Sequence, residues 1–415
     1  MYHPCVKSSD FAKRALQQGI RTMTAMSLGA AVPSRARDSL VALRASNNFD
    51  ILRLVAAFMV VYSHVLRIFD LGPCPVLVWS GYDDLATVGV ITFFVISGFL
   101  VTRSLLSSPS VSSYLINRSV RIFPGLIVCM LWSVFVLGPL VTSLPLGEYF
   151  SSPRSWLYLL NILLFPLQTV LPGVFEGQPR PFTVNGSIWT LSIEFSAYLI
   201  AIALLFVRGR KWVYVAAFSV AVAAFFLAGF AANKTSALLY LTQNIDNNRE
   251  DYFFWFYFQP VNAARFIAFF FIGALFNWIP QRWLRMDVAA VLVVVYIISF
   301  QSAAYFPVHF LALPYVIMTI GSQRWRISNL VQGLGDISYG IYIYSTPLQQ
   351  MTYYYLHDKV SPVAGAWISV LFSITAGLLS WHLVEKPALR LKRYSIHGAH
   401  GRPSAAPPRP AQTGM

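Results

Sequence analysis

The sequence predicts an all-α, polytopic membrane protein with about ten transmembrane helices and both ends in the cytoplasm. Three observations carry that expectation. Only 11% of the 415 residues are charged and 56% are hydrophobic, whereas soluble chains carry about 25% charged residues. The apolar residues come in blocks of bilayer-crossing length, about 20 residues each. Finally, basic and acidic connecting segments alternate along the chain, as helix orientation in a membrane requires.

The predicted spans are 50–70, 86–107, 120–142, 187–207, 212–232, 260–279, 287–306, 308–321, 334–356 and 362–386. The eighth is short and contains Pro314. With the N-terminus inside, the inner segments hold Arg118, then Arg208, Arg210 and Lys211, then Arg282 and Arg285, then Arg324 and Arg326. The C-terminal flank adds Lys386, Arg390, Lys392 and Arg393. Outer segments collect Asp83, Asp84, Glu148, Glu176, Asp246, Glu250, Asp251 and Asp358, with Arg154, Arg180, Lys234, Arg249 and Lys359 as their bases.

Segment 155–171, SWLYLLNILLFPLQTVL, is nearly long enough to cross, but a crossing there would turn every later basic loop outward. It is therefore expected as an interfacial or re-entrant piece broken at Pro166. The outer face then carries 143–186 and 233–259. The second mixes amides, acids and aromatics, which suits either a sugar-binding lip or an aromatic interface belt. No repeated halves of the kind found in many transporters are visible.

Residues 1–46 carry Lys7, Lys13, Arg14, Arg21, Arg35, Arg37 and Arg44 against Asp10 and Asp38. Lacking an apolar core with a small-residue cleavage site, they are expected as a basic, disordered cytoplasmic extension. Residues 47–393 form the transmembrane domain, and 394–415, with GRPSAAPPRPAQTG, read as a disordered tail. The net charge of +15 sits in short segments between apolar blocks, not in a basic stripe on a soluble module, so no nucleic-acid partner is expected. Cys5, Cys74 and Cys129 are far apart and outline neither a disulfide framework nor a metal site.

Ionisable groups at membrane depth are costly, which makes each a functional candidate. In the first span Arg53 and His64 stand eleven residues apart; that is close to three helical turns, on one face and roughly 16 Å along the axis. Arg53 then lies near the cytoplasmic surface, as a snorkelling anchor or a functional cation. His64 lies in the outer half, as a packed core histidine or a reactive base. In the fourth span Glu194 falls seven residues past Ser187, roughly 10 Å below the outer surface.

These two counts put His64 and Glu194 at similar depth. A carboxylate there fixes an imidazole's tautomer and favours its charged form; a structural tie between helices is the alternative. Arg265, near the outer end of the sixth span, is either a third polar member on the acceptor side or another snorkelling anchor. Ser97 and Gly98, amid bulky residues, read chiefly as close helix packing. Arg118 and Arg121 project to one side of a helical turn. Two guanidiniums at the cytoplasmic surface suit bidentate phosphate recognition, or simply mark the inner face.

Six blocks in order resemble the membrane-bound acyltransferase family 3, whose members include bacterial O-antigen and exopolysaccharide O-acetyltransferases. Arg53 and His64, with ten residues between them, resemble the family's opening. FFVISGFL (93–100) is similar to its FF-x-x-SG element, RSVRIFP (118–124) to its R-x-x-R-I-x-P element, and WTLSIEFSAYL (189–199) to its W-S-L-x-x-E block. LGDISYGIYIYSTP (334–347) and HLVEKP (382–387) resemble its closing elements. Ile91 and Thr92 stand where many members carry an Asp before the FF pair. No room is expected for the extracytoplasmic SGNH-type domain that some members carry.

The resemblance implies a cytoplasmic acyl-CoA donor, usually acetyl-CoA, as co-substrate, with no bound cofactor and no metal. It implies a hydroxyl of an extracytoplasmic or lipid-linked carbohydrate, such as an O-antigen or exopolysaccharide, as acceptor, and a multi-pass protein of the bacterial inner membrane. His64 becomes the base or acyl carrier, Glu194 its partner, and Arg53, Arg118 and Arg121 the donor-binding cations. Two readings compete: a transporter or flippase for a lipid-linked sugar without acyl chemistry, and a scaffold or sensor subunit in which His64 is dispensable.

Overall fold

The computed structural model describes residues 47–107, 110–165, 167–181, 183–203, 211–243 and 260–391, the side chains of 107, 228–243 and 260 excepted. The expected terminal segments, Cys5, Pro166, Arg208, Arg210, Lys392, Arg393 and the acidic and aromatic stretch 244–259 lie outside the described residues. Among those described there is no strand; extended pairing is confined to the isolated bridge between Thr142 and Val174.

In chain order the main helices are α1 (Phe49–Ile68), α2 (Leu85–Ser107), α3 (Val111–Trp132), α4 (Ile188–Ala203), α5 (Lys211–Gln243) and α6 (Pro260–Leu275). They continue with α7 (Met286–Ile298), α8 (Tyr305–Gly321), α9 (Arg326–Leu334), α10 (Ser338–Leu356) and α11 (Pro362–Ser380). Each predicted span meets a helix, and α9 begins in an expected inner loop. Five stretches are long and apolar enough to cross a membrane: Phe49–Ile68, Leu85–Leu106, Val111–Val141, Val261–Trp278 and Pro362–Leu391. A sixth is added if α8 and α9, bent by 87°, make one broken span.

The protein is thus a helical membrane protein, and among the described residues five or six helices meet the length and composition of a crossing. Trp189–Ala203, Lys211–Leu227 and Met286–Ile298 are apolar but short. α10 falls below the others for another reason. Tyr342, Tyr344, Thr346, Gln349 and Gln350 make it polar, and all five are buried, so this helix needs no lipid-compatible stripe.

Two boundaries move. α3 starts at Val111 instead of 120 because Ser110 caps it: the Ser113 and Tyr114 N–H groups donate to the Ser110 hydroxyl and carbonyl, each at 3.1 Å. Arg118, expected in the loop before the span, therefore sits within the helix together with Arg121. No continuous helix runs through 155–171. The chain there forms the short helix Pro153–Leu157 and a 3-10 stretch, Tyr158–Leu163, then reverses at Leu164 with φ +66°, ahead of Pro166. Asn161 closes the reversal, exchanging two 2.8 Å hydrogen bonds with the backbone of Gln168.

The chain divides into two compact units. One gathers the described residues of Met1–Ser63, Pro73–Asn117 and Trp189–Gly333. In it α2 lies directly on α6: a Cβ on Gly98 would fall 1.9 Å from the Phe270 carbonyl oxygen, and one on Gly273 would fall 2.2 Å from that of Val95. Only glycine permits that approach. Buried Asn48 anchors the bend after α8, donating to the Ile320 carbonyl at 3.0 Å and accepting from Trp325 N–H at 3.1 Å and the Ser328 hydroxyl at 2.5 Å.

The other unit gathers the described residues of His64–Gly72, Arg118–Ile188 and Leu334–Met415. α10 packs along α11. α3 and α11 each end in a π turn, Ser133–Leu137 and Trp381–Glu385. Gln350 of α10 donates to the Arg180 and Thr183 carbonyls at 2.7 and 3.1 Å, tying the 143–186 segment to this unit.

Candidate active site

His64 lies in the last turns of α1, half-buried. Its Nδ1 is 3.0 Å from the Thr346 hydroxyl oxygen, which is 3.0 Å from that of Ser187. Thr346 and Ser187 are both buried. The reason they meet begins with Pro347. A proline inside α10 has no N–H for the carbonyl four residues back, that of Ile343. Asn185 takes that carbonyl, donating from Nδ2 at 2.7 Å, while its Oδ1 accepts the Ser187 N–H at 3.1 Å. The break in one helix thus fixes the loop that presents Ser187 to Thr346. Neither Thr346 nor Ser187 was picked out by sequence reasoning; the signal was the proline directly after a threonine in a buried helix.

Arg121 is held in the same unit. Its Nη2 donates to Asp336 Oδ2, its Nη1 lies 4.0 Å from Glu385 Oε2, and its guanidinium stands 6.0 Å from the Trp381 ring. The π turn at Trp381–Glu385 carries both Trp381 and Glu385, and Ser380 donates to Glu385 at 2.8 Å. Three of the sequence blocks, 118–124, 334–347 and 382–387, therefore converge on one guanidinium. Arg118, one helical turn earlier, has a buried Nε with no hydrogen-bond partner among the described residues. Arg53 belongs to the other unit, 3.5 Å from Asp50 within the first turns of α1.

Glu194 is also in that other unit. Ser97 and Tyr198 both donate to its Oε1 at 2.5 Å. Gly98 is the packing residue expected, whereas Ser97 does more: it binds the carboxylate. Tyr198, four residues after Glu194 on α4, was missed although the spacing places it on the same face. His64 and Glu194 fall in different units, and each has the partners just given within its own.

Arg265 does not snorkel. Its side chain is 7% exposed, and it grips Asp83 with both Nη atoms. Its Nη2 also donates to His309 Nε2 at 2.7 Å. Tyr305 donates to Asp83 at 2.5 Å, and the Tyr296 hydroxyl is 3.0 Å from that of Tyr305 and 3.1 Å from His309 Nδ1, closing a ring. Asp83, expected as an outer acid, is buried. Burial by itself would raise its carboxyl, but the charge and hydrogen bonds of Arg265, with His309 and Tyr305, hold it below the usual carboxylate value. His309 was visible as a lone imidazole in an apolar span and was not singled out. Among the described residues no three His, Cys, Asp or Glu side chains cluster as metal ligands would.

Apolar spanning helices that carry a hydroxyl-bound imidazole and a buttressed guanidinium fit a membrane-embedded group-transfer enzyme. Residues 46–382 match the family model described as an acyltransferase domain, acyltransferase 3, and the chain belongs to that family. It is 30% identical over 351 residues to the O-acetyl transferase of Shigella phage Sf6, covering 82% of this chain and 95% of the phage protein. It is 28% identical over 369 residues to nodulation protein 10 of Rhizobium leguminosarum bv. viciae, covering 83% of this chain and 94% of that protein. No solved structure matches. The chain is an O-acyltransferase of the membrane.

Proposed function

We propose that this enzyme transfers an acyl group, acetyl in the first instance, from cytoplasmic acyl-CoA to a hydroxyl of an extracytoplasmic or lipid-linked carbohydrate, in a bacterial inner membrane. The observation that carries the reading is His64: an imidazole in a spanning helix whose Nδ1 is engaged by Thr346. Family membership favours group transfer over a flippase, and the phage relative's name, O-acetyl transferase, suggests the acetyl group and the oxygen acceptor.

In direct transfer the acceptor hydroxyl gives its proton to His64 as its oxygen bonds to the thioester carbonyl carbon. The C–S bond then breaks, and the CoA thiolate recovers the proton. In the two-step variant His64 first accepts the acyl group and then passes it to the hydroxyl oxygen. Glu194 supports the reaction as the second catalytic group. Arg53, Arg118 and Arg121 serve the phosphates of CoA, and Arg265, locked to Asp83, supports the acceptor side of its unit. General base catalysis contributes roughly 10²–10⁴-fold.

The test compares surface glycan from cells lacking the protein and from cells complemented with wild type or His64→Ala, by mass spectrometry. The expected result is an acyl mass increment present only with wild type, at equal protein level in the membrane. An increment of normal size with His64→Ala removes the histidine from the chemistry. No difference between deletion and wild type removes the carbohydrate acceptor.

A further inference from the structure

We infer that Thr346 and Ser187 are positioning residues that set which ring nitrogen of His64 meets the acceptor, an inference resting on His64 being the base or acyl carrier. Three observations carry it. The distances from Ser187 Oγ to Thr346 Oγ1 and from Thr346 Oγ1 to His64 Nδ1 are both 3.0 Å, a chain of hydroxyls ending on one ring nitrogen. Ser187 is 1% exposed and Thr346 5% exposed. The chain is also anchored: Asn185 holds the Ser187 backbone while occupying the Ile343 carbonyl that Pro347 leaves without its helical N–H.

A neutral imidazole carries one proton, so the nitrogen that donates cannot be the base. With the Nδ1–H donating to Thr346, and the Thr346 hydroxyl donating onward to Ser187, the lone pair is left on Nε2. An acceptor hydroxyl can then lose its proton to Nε2, and the imidazolium so formed keeps its Nδ1–H on Thr346. Reversed, with Ser187 donating to Thr346 and Thr346 donating to Nδ1, the ring carries its proton on Nε2 and cannot act there as a base. The hydroxyl of Thr346 serves both directions, and it is the proton demand at Nε2 that selects the first. A methyl in its place can hold neither.

The experiment uses the full-length protein in membrane vesicles from the glycan-bearing host, with radiolabelled acetyl-CoA as probe, reading label transferred to glycan. The variants are Thr346→Val, Thr346→Ser, Ser187→Ala and His64→Ala. Thr346→Val, equal in shape but without the hydroxyl, should lower turnover roughly ten- to a hundredfold with the KM for acetyl-CoA unchanged, a smaller loss than removing the base itself. Thr346→Ser should recover most of that loss, which a packing role for the threonine methyl would not allow. Ser187→Ala should lower turnover by a smaller factor. With His64→Ala inactive, turnover in Thr346→Val within twofold of wild type overturns the inference, as does failure of Thr346→Ser to do better than Thr346→Val. Full turnover in His64→Ala instead overturns the underlying reading of the histidine.

Discussion

Ser97 on α2 donates to Glu194 on α4 at 2.5 Å, so a serine chosen for its small size also aims a carboxylate. Tyr198 donates to the same oxygen, and two donors on one oxygen fix the direction of the side chain. Glu194→Gln can keep both bonds through its amide oxygen but carries no charge. Acyl transfer should therefore fall roughly 10²-fold, at unchanged membrane level, whereas Ser97→Ala and Tyr198→Phe should each cost a few-fold. Full transfer by Glu194→Gln in the labelled acetyl-CoA assay would leave Glu194 only as a tie between helices.

Gly98 gives a stability prediction with its own control. Its added methyl would meet the Phe270 backbone, which cannot retreat as a side chain can. Gly98→Ala should part α2 from α6 at a cost of about 1–3 kcal/mol, seen as a lower thermal midpoint in detergent. Gly333 on α9 has nothing within 4 Å of its Cβ position, so Gly333→Ala should leave the midpoint near wild type. Equal shifts in both variants would contradict the backbone contact.

Asp83 makes stability depend on acid. Its carboxyl is held below the ordinary value, so its contribution is present above the unfolded value of about 3.9 and is lost as pH falls through the lower folded value. Removing one partner of a buried pair costs about 3–5 kcal/mol. Asp83→Asn should therefore melt lower than wild type at pH 7, and the gap should narrow as pH drops below about 4. Melting curves with a constant gap from pH 7 to pH 3 would show that Asp83 is not the group being titrated.

Arg121 separates a donor site from a structural clamp. Arg121→Lys keeps the charge but loses the planar fork, while Asp336→Asn removes the carboxylate that now occupies Nη2. If Arg121 docks phosphate, Arg121→Lys should raise the KM for acetyl-CoA several-fold, whereas Asp336→Asn should leave it level or lower. A clamp predicts a different pairing: both variants accumulate poorly, with KM unchanged in what remains.

The helix positions were legible because each lies on an apolar block, and α1 and α2 match their predicted ends to within a few residues. Which of them have the length and composition of a crossing was less so. Apolar length reports a lipid-facing surface, and α10 is instead a buried helix rich in Tyr, Thr and Gln. His64 and Glu194 were visible because an ionisable group in an apolar run stands out, and Arg121 because it lies three residues from Arg118. Their partners were not. Thr346, Ser187 and Ser97 are ordinary polar residues until the fold brings two helices together, and Asp83 is indistinguishable from a loop acid until that loop turns inward. Arg265 drew notice, but charge alone does not tell a buried clamp from an anchor at the lipid surface.

The π turn at Trp381–Glu385 amounts to one residue inserted into an α-helix. The wide turn takes up that residue, so deleting one residue from it would restore ordinary winding while leaving the helix beyond close to its present orientation. Winding the same residues as an unbroken α-helix would instead turn whatever follows by about 100°, and the carboxylate of Glu385, now 4.0 Å from Arg121, would leave it with no change in its own chemistry. The widened turn thus acts as slack in the chain, and descendants of this gene should tolerate a one-residue gap within it more readily than one elsewhere in α11.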